Sequence, residues 1–400
     1  MMDFSFSDEQ ELFRDAIREW SSKSLSMEQV RENDRNHEIP KDVIKEMGDL
    51  GLLCLTIPEK HGGAGADWVT ATIAAEELGY ADISVAVPVF YLVQASWGYV
   101  VDRYCTDEVR EAVLRKAARG DSFIGVGVTE PGGGSDVAGF ETKLEAGENG
   151  GWIVNGEKTY ISGTEEAKEL GGGYFCTGYS DRSKGHRGMT AFYLPIDAPG
   201  VGITKRFDNM GRMAISTGGF KMNEVHIPEE YQIGETGRGF YLTMEGFDAA
   251  RVLVSASCIG AAERAMDIGM DYLKERKAFG KTLSKFQGIQ FDLAEMAAHH
   301  EAIRNLIYKT AWMMDQKYQH ETFTPLEVCK YISMCKLLAP HYALETMRRV
   351  MYWFGAYGYT KECPLEMGMR GIMSYCIGAE GTANIQKIVI ARETLGKEWI

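Results

Sequence analysis

The chain has 400 residues, more than one hydrophobic core usually supports, and its 45% hydrophobic and 25% charged content excludes an intrinsically disordered protein. Forty-three basic against 57 acidic residues leave a formal charge of −14, an acidic surface that disfavours nucleic acid as a partner. Eight cysteines without one C-x-x-C pair exclude the usual zinc and thioredoxin-like spacings.

The opening MMDFSFSDEQEL has neither a basic region nor an apolar one, so no secretory leader is expected. No apolar run of about 18 residues is present to insert in a membrane. With scattered cysteines, this predicts reduced thiols in a cytoplasmic protein. From Ser7 to about Arg119 the pattern is helical: Ser7 and Gln10 form an S-x-x-Q capping box ahead of Leu12, Phe13, Ile17 and Trp20. The stretch from Ile57-Pro58 to Gly65 interrupts it, and helical spacing resumes through 69–78 and 87–104.

From about Ser122 to Ile233 the hydrophobic period falls to two. Trp152-Ile153-Val154, Asn155-Gly156 and then 157–161 predict a hairpin on a type I′ turn. Further strands are expected at 174–179, 189–194, 201–207 and 219–227. After Gly239 helices return. Phe286, Ile289, Leu293, Met296, Ala297, Ile303, Ile307 and Met314 mark one stripe about thirty residues long, and 326–354 is a second such stretch with a kink expected at Pro340. The expected organisation is α+β and multidomain: an N-terminal helical domain (1–121), a middle antiparallel β domain (122–233) and a C-terminal four-helix bundle (234–400).

Several familiar sites are absent. Gly280-Lys281-Thr282 ends like a P-loop, but the earlier glycine position is Glu275; no G-x-G-x-x-G follows a strand, and there is no H-E-x-x-H. His299-His300 reads as a core or interface histidine pair rather than a metal site, and no metal is expected. The segment from Gly125 through Thr129-Glu130-Pro131-Gly132-Gly133-Gly134-Ser135-Asp136 couples a strand to a loop rich in unencumbered N–H groups. It suits either a pyrophosphate or flavin edge or a plain Pro-Gly turn.

That segment resembles the T-E-P-x-x-G-S-D motif of the acyl-CoA dehydrogenase family. In the same order follow Tyr160-Ile161-Ser162, where the family has Trp-Ile-Thr or Ser, and Phe247-Asp248-Ala249-Ala250-Arg251 for F-D-x-x-R. Next come Glu275-Arg276-Lys277-Ala278-Phe279-Gly280 with Phe286-Gln287, and Glu380-Gly381-Thr382-Ala383-Asn384-Ile385-Gln386 for E-G-T-x-x-I-Q. The resemblance spans nearly the whole chain. It implies an FAD enzyme, tetrameric as a dimer of dimers, that oxidises an acyl-CoA and passes electrons to an electron-transferring flavoprotein.

By that resemblance Glu380 is the base that takes the α-proton while the β-hydrogen leaves as hydride. A carboxylate suffices for so weak an acid only if fixed donors hold the enolate oxygen and burial raises the carboxylate pKa. The resemblance assigns those donors to the Glu380 N–H and an FAD ribityl hydroxyl. It places Val126, Val128, Thr129, Ser135, Tyr160, Ile161 and Ser162 on the FAD, and Ser135, Asp248, Arg251, Tyr91 and Gly381 on the substrate. Arg276, Phe279, Gln287, Tyr352 and Gly355 would reach the FAD of a neighbouring subunit, and Thr382 and Asn384 would close over the FAD adenosine side.

The chain also departs from the family. Tyr352 replaces a glutamine, Gly371 an aspartate and Ala379 a common tyrosine; one extra residue lies between Arg370 and Glu380, and the loop Gly163–Gly173 is long. Ala250 at the alternative base position leaves Glu380 without a rival there. By the resemblance 89–97 floors the acyl pocket, where Phe90, Tyr91 and Trp97 would fill a long channel and Ala379 would widen it beside the α-carbon, implying a branched, cyclic or aryl-bearing acyl group; the same aromatic stripe also reads as core packing. A straight short-chain substrate, or a non-catalytic FAD- and acyl-CoA-binding scaffold, is the alternative. No arginine stands in 89–97 to pair a second carboxylate, which disfavours a glutaryl-type substrate.

Overall fold

The computed structural model describes residues 5–148, 150–320 and 322–396, the side chains of 318–320 excepted. Its helix, sheet, helix order is the one the hydrophobic period predicts. Ser7 closes helix Asp8–Ser24 with the expected capping box, its hydroxyl accepting from the Gln10 N–H while the Gln10 side chain accepts from the Ser7 N–H. From that helix Ile17 and Trp20 enter the core, whereas Leu12 is exposed.

Helices Trp68–Ala81 and Ala86–Tyr104 are buried on nearly every face because the 37-residue helix Gly239–Glu275 runs against both. Glycines bring the backbones together: a Cβ on Gly260 would strike the Glu76 carbonyl oxygen, and one on Gly79 the Ser257 carbonyl. Backbone cannot rotate out of the way as a side chain can. Gly260→Ala is therefore expected to destabilise the protein by about 3 kcal/mol, the upper end for overpacking, read as a fall in melting temperature. An unchanged melting temperature would contradict this close crossing.

The middle unit is one eight-stranded sheet: β1 (Phe123–Gly127), β2 (Lys143–Ala146), β3 (Trp152–Ser162), β4 (Gly172–Tyr179), β5 (Met189–Pro195), β6 (Val201–Ile203), β7 (Thr217–Ile227) and β8 (Gln232–Ile233). The order is β6-β7-β3-β2-β4-β5-β8, with β1 also on β4. It is mixed rather than purely antiparallel, since β1 lies parallel to β4 in register Phe123↔Gly172 to Gly127↔Cys176. The expected hairpin at Asn155-Gly156 does not form; β3 runs straight through it. Neither residue takes a positive φ. Asn155 instead bonds across to β7, donating to the Glu224 carboxylate (2.5 Å) and accepting from the Glu224 N–H (2.9 Å) at a bulge where Glu224 has φ 52°. A side chain at Gly156 would collide with Thr142, so this glycine serves a close approach and not a turn. The long stretch after β3 contains a helix, Thr164–Leu170.

Five helices make up the C-terminal unit among the described residues: Gly239–Glu275, Gln287–His320, Pro325–Trp353, Leu365–Ile377 and Ala383–Leu395. Pro340 sits within the unbroken third of these. His300 is buried, 4.0 Å from Glu263 and packed on Tyr342. No helix is long and apolar enough to cross a membrane among the described residues.

Candidate active site

The E-G-T run occupies the sharp link between helices Leu365–Ile377 and Ala383–Leu395. The Gly381 N–H turns back to the Gly378 carbonyl (2.7 Å), which places Glu380 in the left-handed region at φ 60°, followed by Gly381 at φ 101°. A side chain at 381 would be strained and would press on the Gln386 amide and the Arg251 guanidinium. Thr382 then caps the next helix by accepting from the Ile385 N–H. Strain at a non-glycine residue persists only where its surroundings hold it. Here they do: Arg251 donates from Nε to the Glu380 carbonyl (2.8 Å), and Lys336 donates from Nζ to the carbonyls of Tyr375 (2.7 Å) and Gly381 (3.3 Å) on either side.

The Glu380 carboxylate itself makes no hydrogen bond among the described residues, and its Oε2 is sealed from solvent. Burial pushes its pKa up from near 4.5 to about 7, against the pull of Arg251, Lys336 and Arg212. A base acts in its ionised form, so a rate that depends on Glu380 rises with pH and levels off above about pH 7. Lys336→Met removes one cation that favours ionisation and is expected to move that midpoint upward, checked by pH profiles of both proteins. A midpoint that stays put or falls would show that Lys336 does not act on the base.

Arg251 is buried and also donates to Asp248 (2.9 Å), and its guanidinium lies over Phe247. Asp248 and Arg251 are thus paired with each other, and Arg251 braces the turn that carries the base. Phe247 meets Trp97 edge to face at 5.4 Å. Trp97 also contacts Phe175, and Phe90 contacts Phe123, all fully buried. Tyr91 turns elsewhere: its hydroxyl donates to the Ala71 carbonyl (2.9 Å), so its ring packs between two helices of the N-terminal unit.

The glycine-rich segment leaves β1 and closes at once into a tight turn, Glu130 and Gly133 exchanging backbone hydrogen bonds (3.2 and 3.0 Å). Glu130 is the anchor. Its carboxylate accepts from the Lys158 ammonium (2.8 Å) and from Glu141 and Thr142, while Lys158, fully buried, also donates to the carbonyls of Val128 (3.2 Å) and Thr177 (2.9 Å). Burial pushes the Glu130 carboxyl up, but Lys158 and these donors outweigh it and hold it below the ordinary range. The hydroxyls of Thr129, Ser135 and Ser162 have no partner among the described residues. Val126 and Val128 precede the turn, and Ile161 is buried beside Tyr160, which is exposed at φ 56° and stacks on Phe207 at 4.7 Å.

Arg276, Phe279 and Gln287 are exposed near one projection of the chain, where Phe279-Gly280 forms a two-residue hairpin turn with φ 50° and 80°. Phe279 is 95% exposed, a ring with no core role. Tyr352, Gly355 and Asn384 are exposed as well. Within this chain the structure joins Glu380, Gly381, Arg251 and Asp248 directly. It does not join Arg276, Phe279, Gln287, Tyr352 or Gly355 to them through any hydrogen bond or ion pair among the described residues. Missed from sequence were Lys158, Lys336 and Arg212, each a cation in a stretch that reads as ordinary strand, helix or loop.

Three family models match in succession: the acyl-CoA dehydrogenase N-terminal domain over residues 7–121, the middle domain over 125–225 and the C-terminal domain over 237–395. The chain belongs to the acyl-CoA dehydrogenase family. It is 32% identical to a probable acyl-CoA dehydrogenase, YngJ, of Bacillus subtilis over 98% of this chain and 100% of that one. It is also 32% identical to the CarC subunit of a caffeyl-CoA reductase–Etf complex of Acetobacterium woodii, again over 98% and 100%. Among solved structures, the butyryl-CoA dehydrogenase of Megasphaera elsdenii superposes with a TM-score of 0.90 at 31% identity, covering 99% of this chain and 100% of that one.

Proposed function

We propose that this protein is an FAD-dependent acyl-CoA dehydrogenase in which Glu380 removes the α-proton of a short acyl-CoA thioester. The observation that carries this reading is the Glu380 turn: a carboxylate without a hydrogen-bond partner, poised near pH 7, on a backbone fixed by Arg251 and Lys336. The Glu380 N–H also has no acceptor among the described residues, so it is available to hold the thioester oxygen as negative charge develops there.

The residues present suit FAD. The hydroxyls of Thr129 and Ser135 flank the glycine turn in the chain and, like that of Ser162, have no partner among the described residues, and Tyr160 offers an exposed ring. Val126, Val128 and Ile161 would complete that wall. Thr382 and Asn384 would close over the adenosine side of the FAD, and Arg276, Phe279, Gln287, Tyr352 and Gly355 would hold the FAD of a second copy, in keeping with a homotetramer built as a dimer of dimers. When bound, FAD supplies the two-electron acceptor for the hydride that leaves the β-carbon. Arg251 keeps the base in place, and the packed rings of Phe90, Trp97 and Phe247 bound and dry the acyl end.

Those rings favour a short acyl group, and Ala379 beside the base leaves room for a branch or ring at the α-carbon. The Etf-complex relative supports an electron-transferring flavoprotein as acceptor. Eight unpaired cysteines support a reducing compartment such as the cytoplasm. The test is anaerobic mixing of the holoprotein with a panel of saturated acyl-CoA thioesters while flavin absorbance is followed. Bleaching by a short thioester is expected; a flavin left oxidised across the whole panel would instead describe a binding scaffold.

A further inference from the structure

Away from the base, three helices each bring one metal-ligating side chain to a single point. Glu76 stands on Trp68–Ala81, Glu263 on Gly239–Glu275 and His300 on Gln287–His320. One carboxylate oxygen from each glutamate and one ring nitrogen of His300 all lie within 4.8 Å of one another. The close crossing at Gly260 builds this point: Gly260 presses on the Glu76 carbonyl, and Glu263 lies one turn further along the same helix.

His300 is 8% exposed, yet it makes no hydrogen bond among the described residues. Its Nε2 faces Glu263 at 4.0 Å, beyond hydrogen-bond reach, and its Nδ1 is sealed from solvent without a partner. Burial holds its pKa below the ordinary value, so at neutral pH the imidazole is uncharged and keeps a lone pair to give. The Glu263 carboxylate also has no hydrogen bond among the described residues, and no lysine or arginine pairs with it there. Its acidic neighbours are answered: Glu77 pairs with Arg18 (2.7 Å), and Glu76 accepts from Arg304 (2.6 Å) and from the Tyr308 hydroxyl. A buried imidazole with nothing to bond, beside a carboxylate with no counter-ion, lacks one thing, a cation.

We propose that Glu76, Glu263 and His300 bind a divalent transition-metal ion of the zinc class, at a structural site that ties the N-terminal helical unit to the C-terminal one. An imidazole with two carboxylates suits Zn²⁺ better than Mg²⁺ or Ca²⁺, which take oxygen ligands. Each Glu76 oxygen keeps a lone pair beyond its bond from Arg304 or Tyr308, and those two donors fix the carboxylate as outer partners do around a metal. Tetrahedral zinc needs its ligand atoms about 3.4 Å apart, so the three groups must draw in. Glu263, whose side chain is 40% exposed and held by no hydrogen bond, is the arm that closes, and its open edge admits the ion from solvent. The Arg304 charge opposes the ion; the unanswered charge of Glu263 offsets it. This reverses the expectation drawn from His299-His300: His299 is exposed, and the ligands that join His300 come from two other helices.

The test is calorimetric titration of the full-length, chelator-treated holoprotein with zinc chloride at neutral pH, with melting curves beside it. One Zn²⁺ per chain is expected, together with a rise in melting temperature that the same concentration of Mg²⁺ does not give. E263Q removes a charge that no hydrogen bond uses, so it is expected to fold as wild type does. E263Q and H300Q are each expected to weaken zinc binding by at least about tenfold, since losing even an outer partner of a metal costs about 10–100-fold. Co²⁺ in place of zinc is expected to give visible bands without a thiolate charge-transfer band, and H300Q to lose them. No stoichiometric zinc binding by wild type would overturn the proposal. So would binding that both variants keep at wild-type affinity, or a thiolate band with Co²⁺, either of which would mark an adventitious ion held elsewhere, by the cysteines for instance. No step of the flavin chemistry enters this test, so its failure leaves the dehydrogenase reading untouched.

Discussion

Replacing Glu380 with glutamine is expected to lower the rate of flavin reduction by acyl-CoA by about 10²–10⁴-fold while the protein stays yellow and folded. Glutamine keeps the shape of the side chain and removes its proton affinity, and no hydrogen bond to the carboxylate is lost because none is made among the described residues. Stability moves the other way. Burial raises the Glu380 pKa to about 7, so between about pH 4.5 and 7 the folded protein keeps a proton that the unfolded chain releases. Stability therefore falls as pH rises through that window, and the glutamine variant is spared the loss. At pH 8 E380Q is expected to melt no lower than wild type. A variant that melts much lower, or that still bleaches at the wild-type rate, would show that the carboxylate is structural.

Lys158→Met carries the largest expected structural effect. It leaves the Glu130 carboxylate buried with hydrogen-bond donors but no counter-ion, and breaking a buried pair from one side costs about 3–5 kcal/mol. The glycine turn hangs on Glu130, so the variant is expected both to melt earlier and to retain less FAD after purification. In wild type the depressed Glu130 pKa gives stability that is present above the ordinary carboxylate range and lost as pH falls through the depressed value. Without Lys158 the penalty shrinks as pH falls, because protonating Glu130 removes the unpaired charge. Melting curves across pH, with flavin stoichiometry, check both statements. Full flavin content at an unchanged melting temperature would contradict them.

What sequence could reveal followed the range of the interaction. The Ser7–Gln10 capping box and the period change at 122 depend on residues close in the chain, and both appear as read. The Glu380 turn is also local, since a glutamate followed by glycine and a capping threonine describes a bend between two helices. Asn155-Gly156 misled because a turn dipeptide also serves a bulge, and only the partner strand at Glu224 decides between them. Lys158, Lys336 and Arg212 were invisible for one physical reason. A buried cation takes its meaning from carbonyls and carboxylates far along the chain, as Lys158 does from Thr177 and Lys336 from Gly381. Tyr91 failed similarly, because an aromatic on a helix gives no sign of which neighbour receives its hydroxyl until Ala71 is seen beneath it.

The central claim is that Glu380 takes the α-proton, and hydrogen exchange at that carbon tests it without reference to the acceptor. A short acyl-CoA incubated with the holoprotein in heavy water is expected to gain deuterium at the α-carbon with wild type and to gain none above the uncatalysed background with E380Q. Deuterium entering at the wild-type rate with E380Q would place the base elsewhere.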